Sequence, residues 1–326
     1  MRVFVAGATG AVGRWLVPRL VAGGHEVTAT TRSPGKADGL RALGAVPVVM
    51  DGLDAAAVGQ AVAEAEPDAV VHQMTALAGT PNLRRFDSWF ATTNELRTAG
   101  TQHLLAAAQA GGVRRFVAQS YTGWNIARAG DGGSPTGVGR AATEDEPLDP
   151  HPAAAQRGSL AAIVALERAV LDAPLEGIVL RYGNFYGPGA SESQVELVRA
   201  RKLPIIGSGA GVWSWIHLDD AASATVAALE RGAPGVYHVV DDEPAPVAQW
   251  LPHLARVVGA KPPLRVPVWL GRLAAGEVAV RWMTEGRGAS NGKARRELGW
   301  RPGWASWRDG FRDGLTGAPA GGQVAP

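Results

Sequence analysis

Short runs of apolar and β-branched residues recur through the first two-thirds of the chain: RVFVA (2–6), EVTATT (26–31), VPVVM (46–50), AVVHQM (69–74), RFVAQ (115–119), GIVLR (177–181) and GVYHVV (235–240). Most are continuous rather than alternating, the pattern of strands covered on both faces. Between them, apolar residues fall three or four apart, as in Val12, Trp15, Leu16 and Leu20, or Thr101, Leu104, Leu105 and Ala108. That spacing marks one face of a helix. Strands and helices alternating in this way predict a doubly wound α/β fold built on a parallel sheet.

Two stretches leave this rhythm. Residues 122–158 form a long segment rich in Gly, Pro and acids, including GDGGSP and TEDEPLDPHP, and a connection of that length reads as a lid or as disorder. From about 241 onward come Pro clusters, helical spacing and Trp250, Trp269, Trp282, Trp300, Trp304 and Trp307. These predict a smaller, mostly helical lobe whose tryptophans serve as aromatic core rather than as a binding platform. The last residues, TGAPAGGQVAP, have the composition of a flexible tail over 316–326.

Composition narrows the function. The 326 residues are 46% apolar and 19% charged, ordinary for a globular protein, and the formal net charge is +2. No long basic block is present, so neither nucleic acid nor a membrane surface is an expected partner. With no cysteine, thiolate metal sites, disulfides and Cys nucleophiles are excluded. His72, His217 and His238 lack metal-ligand spacing, and no metal site is expected. No apolar run is long enough to span a bilayer, and the glycines of MRVFVAGATGAVG fit a strand and turn better than a signal peptide, so a cytoplasmic protein is expected.

Gly7, Thr9, Gly10, Ala11, Val12 and Gly13 follow the first strand and open the first helix. Glycines there let backbone approach a pyrophosphate, which the free N–H groups and positive helix end then meet. The second strand ends in Thr30-Thr31-Arg32, with Lys36 close behind and no carboxylate before Asp38. A ribose with free hydroxyls calls for an acid at this point and a 2′-phosphate for Arg, so the pattern favours NADP(H) over NAD(H), with Arg32 as phosphate ligand. Asp51 and Gly52 follow the third strand, on the adenine side, and His72 and Gln73 end the fourth, near the cofactor's middle.

These pieces, with MDGLD, the Asn94 segment TTNELRTAGTQHLLAAA, RRFVAQS, TEDEPLDP, LRYGNFYGPG, WSWIHLDDAA, YHVVDDEP and SNGKARRELGW, stand in one order along nearly the whole chain. In that order the chain resembles the extended short-chain dehydrogenase/reductases, the NAD-dependent epimerase/dehydratase family. The resemblance implies a nucleotide-binding Rossmann domain over 1–181 and 212–240 and a substrate lobe over 182–211 and 241–315. It also implies a small-molecule substrate and a homodimer formed through the helices flanking the Asn94 segment. Asn94 would bind the cofactor, and Tyr182 and Asn184, in the turn after the sixth strand, would line the nicotinamide side.

The family's chemistry rests on a Ser or Thr ending the fifth strand and a Tyr-x-x-x-Lys pair on the next helix, the Lys lowering the Tyr pKa. Ser120 matches the strand position, but alignment on Glu167 puts Ser159 where the Tyr belongs and Ile163 where the Lys belongs. No register shift restores the pair, because no lysine lies between Lys36 and Lys202 and Tyr121 is the only tyrosine in the first 181 residues. Leu160, Ile163, Val164, Glu167, Val170 and Leu171 give that helix a mainly apolar stripe, so it is expected to pack, with Ser159 capping it or just inside. Tyr121 and Ser120 are the candidate polar helpers, Tyr121 as proton donor or carbonyl polariser or else as a packing aromatic. Arg157 is the cation nearest the emptied Lys position, and Asp219–Asp220 read as an N-cap pair.

The expected activity is that of an NAD(P)-dependent oxidoreductase or epimerase-family enzyme on a small carbonyl or sugar-like substrate. The alternatives are a non-redox lyase or isomerase, or a silent NADP-binding sensor.

Overall fold

The structure, a computed structural model, describes residues 1–77, 79, 81–124 and 141–316. Seven strands form one parallel sheet: β1 (Arg2–Ala6), β2 (Glu26–Thr31), β3 (Val46–Val49), β4 (Ala69–His72), β5 (Arg115–Tyr121), β6 (Glu176–Tyr182) and β7 (Gly235–Val239). Their spatial order is β7-β6-β5-β4-β1-β2-β3, so the chain winds outward from β1 to one edge, then returns past it to the other. That reversal between β1 and β4 opens a crevice at the strands' C-terminal ends. All seven strands anticipated from the apolar runs are present, and the doubly wound fold is the observed one.

The pleat explains the continuous apolar runs. Val3 and Val5 point to a core shared with α1 (Gly13–Ala22) and α5 (Leu218–Arg231), through Leu16, Leu20, Ala221 and Ala228. Phe4 and Ala6 point to the other face, against α2 (Ala55–Ala65), α3 (Thr101–Ala110) and α4 (Arg157–Leu171), through Val58, Leu104 and Leu166. With both faces covered, alternate polar residues would be buried and are avoided.

The C-terminal region is helical as expected. Val247–Val257, Glu277–Thr284 and Trp307–Asp313 gather around Trp215, Trp250 and Phe311. It is not one lobe, however: Ala294, Leu298 and Trp300 join the sheet's own core, where Trp300 Nε1 donates to Ser223 Oγ on α5 at 2.9 Å. The tryptophans divide too. Trp250, Trp300 and Trp307 are core, Trp269 is 67% exposed, and Trp282 lines a pocket described below.

The acids of TEDEPLDP tie the end of the long segment down. Glu144 accepts the His238 N–H at 2.8 Å, Glu146 pairs with Arg287 at 2.6 Å, and Asp149 pairs with Arg281 at 2.9 Å. Residues 125–140, the middle of the anticipated lid, and residues 317–326 of the anticipated tail lie outside the described residues. No helix among the described residues is long and apolar enough to cross a membrane.

Candidate active site

The turn between β1 and α1 passes tightly under the crevice. Gly7 has φ +90°, and a Cβ on it would stand 2.7 Å from the Gln73 carbonyl carbon. A Cβ on Gly13 would stand 2.4 Å from the Ala8 carbonyl oxygen, so only glycine lets α1 begin against its own loop. The Gly7 N–H donates to Thr30 Oγ1 at 3.0 Å, which fixes the turn to the end of β2. Among the described residues no side chain caps α1, whose Arg14 and Trp15 N–H groups turn back to the Gly10 and Val12 carbonyls, and the positive end of its dipole faces the turn.

Gly7, Thr9, Gly10, Arg32, Gly52 and Gln73 line one cleft, together with Lys36. Arg32 and Lys36 are exposed, and among the described residues neither is in an ion pair; the nearby Asp38 pairs with Arg41 instead. Gln73 Nε2 donates to Tyr182 Oη at 3.1 Å, while its Oε1 is buried with no partner among the described residues. A positive helix end, two cations outside any ion pair among the described residues and an unpartnered acceptor fit a nicotinamide dinucleotide. Ala11, Val12 and Gly13 form the helix start behind this surface, with Val12 in the core. Asp51 is exposed beside Gly52, and its Oδ1 accepts the Leu53 N–H at 3.0 Å.

Four others of the anticipated cofactor residues do not line this cleft: Asn94, which donates to Ser159 Oγ, Asn184, which bonds Tyr121 in a second pocket, His72 and Tyr182. His72 is buried and does not line the cleft: its Nε2–H lies 3.3 Å from the Leu96 carbonyl and 3.1 Å from Thr101 Oγ1, and its Nδ1 accepts the Met74 N–H. Burial pushes its pKa down to about 4, so the ring is a neutral tie between β4 and the neighbouring helix. Tyr182 is fully buried, with its hydroxyl 2.6 Å from Thr225 Oγ1. Successive strand residues point to opposite faces, so Gln73 reaches the cleft and His72 cannot.

On α4, Ser159 Oγ donates to Asp87 Oδ1 at 2.6 Å and accepts from Asn94 Nδ2 at 2.9 Å. Asp87 also takes the N–H groups of Gly158 and Ser159, so it caps α4 from another element and Ser159 sits just inside. Ile163 is 1% exposed and packs with Phe86, Trp124, Leu160 and Val278. Arg157 is exposed. The apolar stripe is narrower than the spacing implied: Val164 and Leu171 are 47% and 41% exposed, while Leu166 is core. The helix packs where the family pattern expects an acid and a base.

Ser120 and Tyr121 part company for the same pleat reason. Ser120 Oγ donates to Glu167 Oε1 at 2.6 Å, and Glu167 is clasped by both Nε and Nη2 of Arg181 at 2.8 and 2.6 Å, all buried. Its hydroxyl is committed to that ion pair, below the sheet edge rather than toward the crevice. Tyr121 instead lines a second pocket with Asn184, Trp213, Ser214 and Trp282. Its hydroxyl donates to Asn184 Oδ1 at 2.9 Å, and Asn184 Nδ2 donates to the Ser214 carbonyl at 3.1 Å. Burial pushes the Tyr121 phenol well above its ordinary value, so it is a neutral donor. Asp219 and Asp220 do not cap α5: His217 Nδ1 does, at 3.1 Å from Asp219 N, leaving Asp219 to Arg19 and Asp220 to the N–H groups of Gly303 and Trp304.

Sequence reasoning missed Trp213, Ser214 and Trp282, because only the fold brings the WSW turn and a distant helix to Tyr121.

Fold and cleft together define a nicotinamide-cofactor enzyme of the reductase and epimerase type. The chain belongs to the NAD dependent epimerase/dehydratase family, whose model matches residues 3–240. It is 47% identical over 322 residues to a Streptomyces 3-diazoavenalumate denitrifying reductase, covering 95% of this chain and 99% of that protein. Among solved structures it is similar to Thermus thermophilus UDP-glucose 4-epimerase in complex with NAD, with a TM-score of 0.73, 24% identity and coverage of 97% and 98%. It is also similar to a human epimerase family protein with NADPH, with a TM-score of 0.69, 22% identity and coverage of 97% and 99%.

Proposed function

We propose that the protein is an NADP(H)-preferring reductase acting on an aromatic diazonium or diazo acid, with arene and dinitrogen as products. The observation that carries this reading is the sealed acid–base position: Ser159 is bound to Asp87 and Asn94, and Ile163 is core. When bound, the reduced cofactor supplies a hydride. A carbonyl acceptor would turn that hydride into a developing alkoxide and require a proton donor. A diazonium already carries positive charge, gains the hydride's two electrons and hydrogen, and loses dinitrogen with no alkoxide to protonate. The name of the 47%-identical relative supports the same acceptor class.

The chain's contribution is then binding and orientation. Arg32 and Lys36 hold the 2′-phosphate, the turn from Gly7 to Gly13 holds the pyrophosphate, and Gln73 Oε1 accepts from the cofactor's middle. Tyr121 and Asn184, locked to each other, wall a narrow pocket of about 30 Å³ beside Trp213 and Trp282, which would have to open for an acceptor ring to enter. Two copies meeting beside the Asn94 segment is the assembly we favour, since Val164 and Leu171 on the adjoining α4 are left exposed; sedimentation tests it.

The test is purified protein with NADPH and a diazotised aromatic acid, following NADPH loss, dinitrogen and arene. Equal amounts of each are expected, and consumption on ketones but not on the diazo acid would reverse the assignment. Arg32→Ala should weaken NADPH binding by roughly 10- to 100-fold and leave NADH unaffected, the value of a charge-assisted phosphate contact. Equal losses for both cofactors would refute the phosphate role.

A further inference from the structure

A chain of buried hydrogen bonds runs from the backbone of α5 to the cofactor cleft. Thr225 Oγ1 donates to the Ala221 carbonyl at 2.7 Å, Tyr182 Oη lies 2.6 Å from Thr225 Oγ1, and Gln73 Nε2 donates to Tyr182 Oη at 3.1 Å. Thr225 and Tyr182 are fully buried, and Gln73, which lines the cleft, is 3% exposed. Burial pushes the Tyr182 phenol up to about 12, so it keeps its hydrogen at neutral pH.

Each link can run in one direction only. A carbonyl accepts and cannot donate, so the single Thr225 hydroxyl hydrogen is spent on Ala221 and Thr225 must accept from Tyr182. Tyr182 has then spent its own hydrogen and must accept from Gln73. The amide is thereby turned with its NH2 toward Tyr182, and its oxygen is the end left over. That oxygen, Oε1, is buried without a partner among the described residues.

Folding alone gives no reason for this arrangement. Replacing both partners of a buried hydrogen bond by apolar groups of the same shape is nearly neutral, whereas a buried acceptor left unmatched is unfavourable. The protein keeps both hydroxyls and the unmatched oxygen, and keeps them at the cofactor cleft. A donor brought by a ligand removes the imbalance.

The order of the strands says which part of a dinucleotide arrives there. Arg32 follows β2, the glycine turn follows β1 and Gln73 follows β4, with β1 between the other two. Neighbouring strands stand about 4.8 Å apart, so Arg32 and Gln73 are separated by roughly 10 Å across the turn. A Cβ on Gly7 would stand 2.7 Å from the Gln73 carbonyl carbon, so turn and Gln73 are in direct contact. With the adenosine phosphate at Arg32 and the pyrophosphate at the turn, the next group along the cofactor is its second ribose, whose hydroxyls are donors.

We infer that Gln73 Oε1 receives a hydroxyl of the ribose that carries the nicotinamide, and that Tyr182 and Thr225 are positioning residues that hold the amide in its accepting orientation. The inference rests on the nicotinamide dinucleotide reading of the cleft and adds to it the group that Gln73 recognises.

The test is calorimetric titration of the full-length protein with three ligands. The first, 2′-phospho-ADP, ends at the pyrophosphate; 2′-phospho-ADP-ribose adds the ribose, and NADP adds the nicotinamide. Gln73→Leu should weaken 2′-phospho-ADP-ribose and NADP alike by roughly 5- to 30-fold and leave 2′-phospho-ADP within about twofold. Gln73→Met, close in length, gives the same reading should the leucine variant fail to fold. Tyr182→Phe and Thr225→Val should show the same ligand pattern with smaller losses, while Thr225→Ser, which keeps the hydroxyl, should bind as the wild type does. Adding Tyr182→Phe to Gln73→Leu should cost no further affinity, since both act on one contact. Losses that fall equally on all three ligands, or that add in the double variant, would make the relay structural and overturn the inference. A loss confined to NADP would overturn it too, by moving the contact to the carboxamide. A wild type that binds 2′-phospho-ADP but gains nothing from the ribose sinks the Gln73 site alone. Should ADP-ribose exceed ADP by the same Gln73-dependent factor while the 2′-phosphate adds nothing, the site stands and the NADP preference alone fails.

Discussion

Ser120 and Glu167 show how a residue that fits a catalytic pattern can belong to the framework. Ser120 spends its hydroxyl on Glu167, whose charge neutralises the buried Arg181. Ser120→Ala should cost about 1 kcal/mol and preserve turnover, whereas Glu167→Ala should cost about 3–5 kcal/mol by stranding a buried cation. Denaturant unfolding beside steady-state rates separates the two, and a Ser120→Ala variant that is stable yet inactive would return Ser120 to the chemistry. His72 makes a pH prediction at the same scale. The folded ring stays neutral down to about pH 4, while the unfolded chain takes up its proton near 6.5. The unfolded state thus binds more protons between those values, and stability present above 6.5 is lost as pH falls through the window. Near pH 5 the loss from this group is on the order of 2 kcal/mol. His72→Gln should flatten that part of the curve. Asp220, raised to about 6 by burial, acts in the opposite sense, so the variant comparison isolates the histidine.

At the scale of the element, the β1–α1 unit is where stability and the proposed cofactor binding should change together. Gly13 lets the first turn of α1 lie against Ala8, and among the described residues no side chain caps that helix end. Gly13→Ala must push helix and loop apart, since its Cβ would sit far inside contact distance of the Ala8 backbone. Calorimetry should show a lower melting temperature, and titration at least a tenfold loss of NADPH affinity. Unchanged affinity would mean that the helix end does not hold the cofactor. α4 illustrates the opposite outcome: its N-terminus is filled by Asp87, so no ligand is needed there. Its composition disclosed packing, but its stripe was misjudged at Val164 and Leu171, because periodicity alone cannot say which edge of a helix a neighbour covers.

For the molecule as a whole, ion pairs tie the end of the long segment to the helix that carries Trp282, a wall of the pocket proposed for the acceptor. Asp149, nearly buried, holds Arg281 on the helix that also carries Trp282, and Arg281 in turn reaches the His151 carbonyl at 2.8 Å. Asp149→Asn should speed proteolytic cleavage in the 141–153 region and raise KM for the acceptor with little change in KM for NADPH. Equal change in both would place the latch's effect on the sheet instead. The sequence by itself determined the sheet, its two covered faces, the glycine turn and the missing Tyr–Lys pair, because periodicity and backbone constraint are local and survive in one dimension. Only the tertiary structure decided which polar groups are free. The strand pleat sends His72, Ser120 and Tyr182 into the framework and Gln73 and Tyr121 to the crevice, and the partners that occupy a side chain, Glu167 for Arg181 and Tyr182 for Gln73 Nε2, come from segments far apart in the chain.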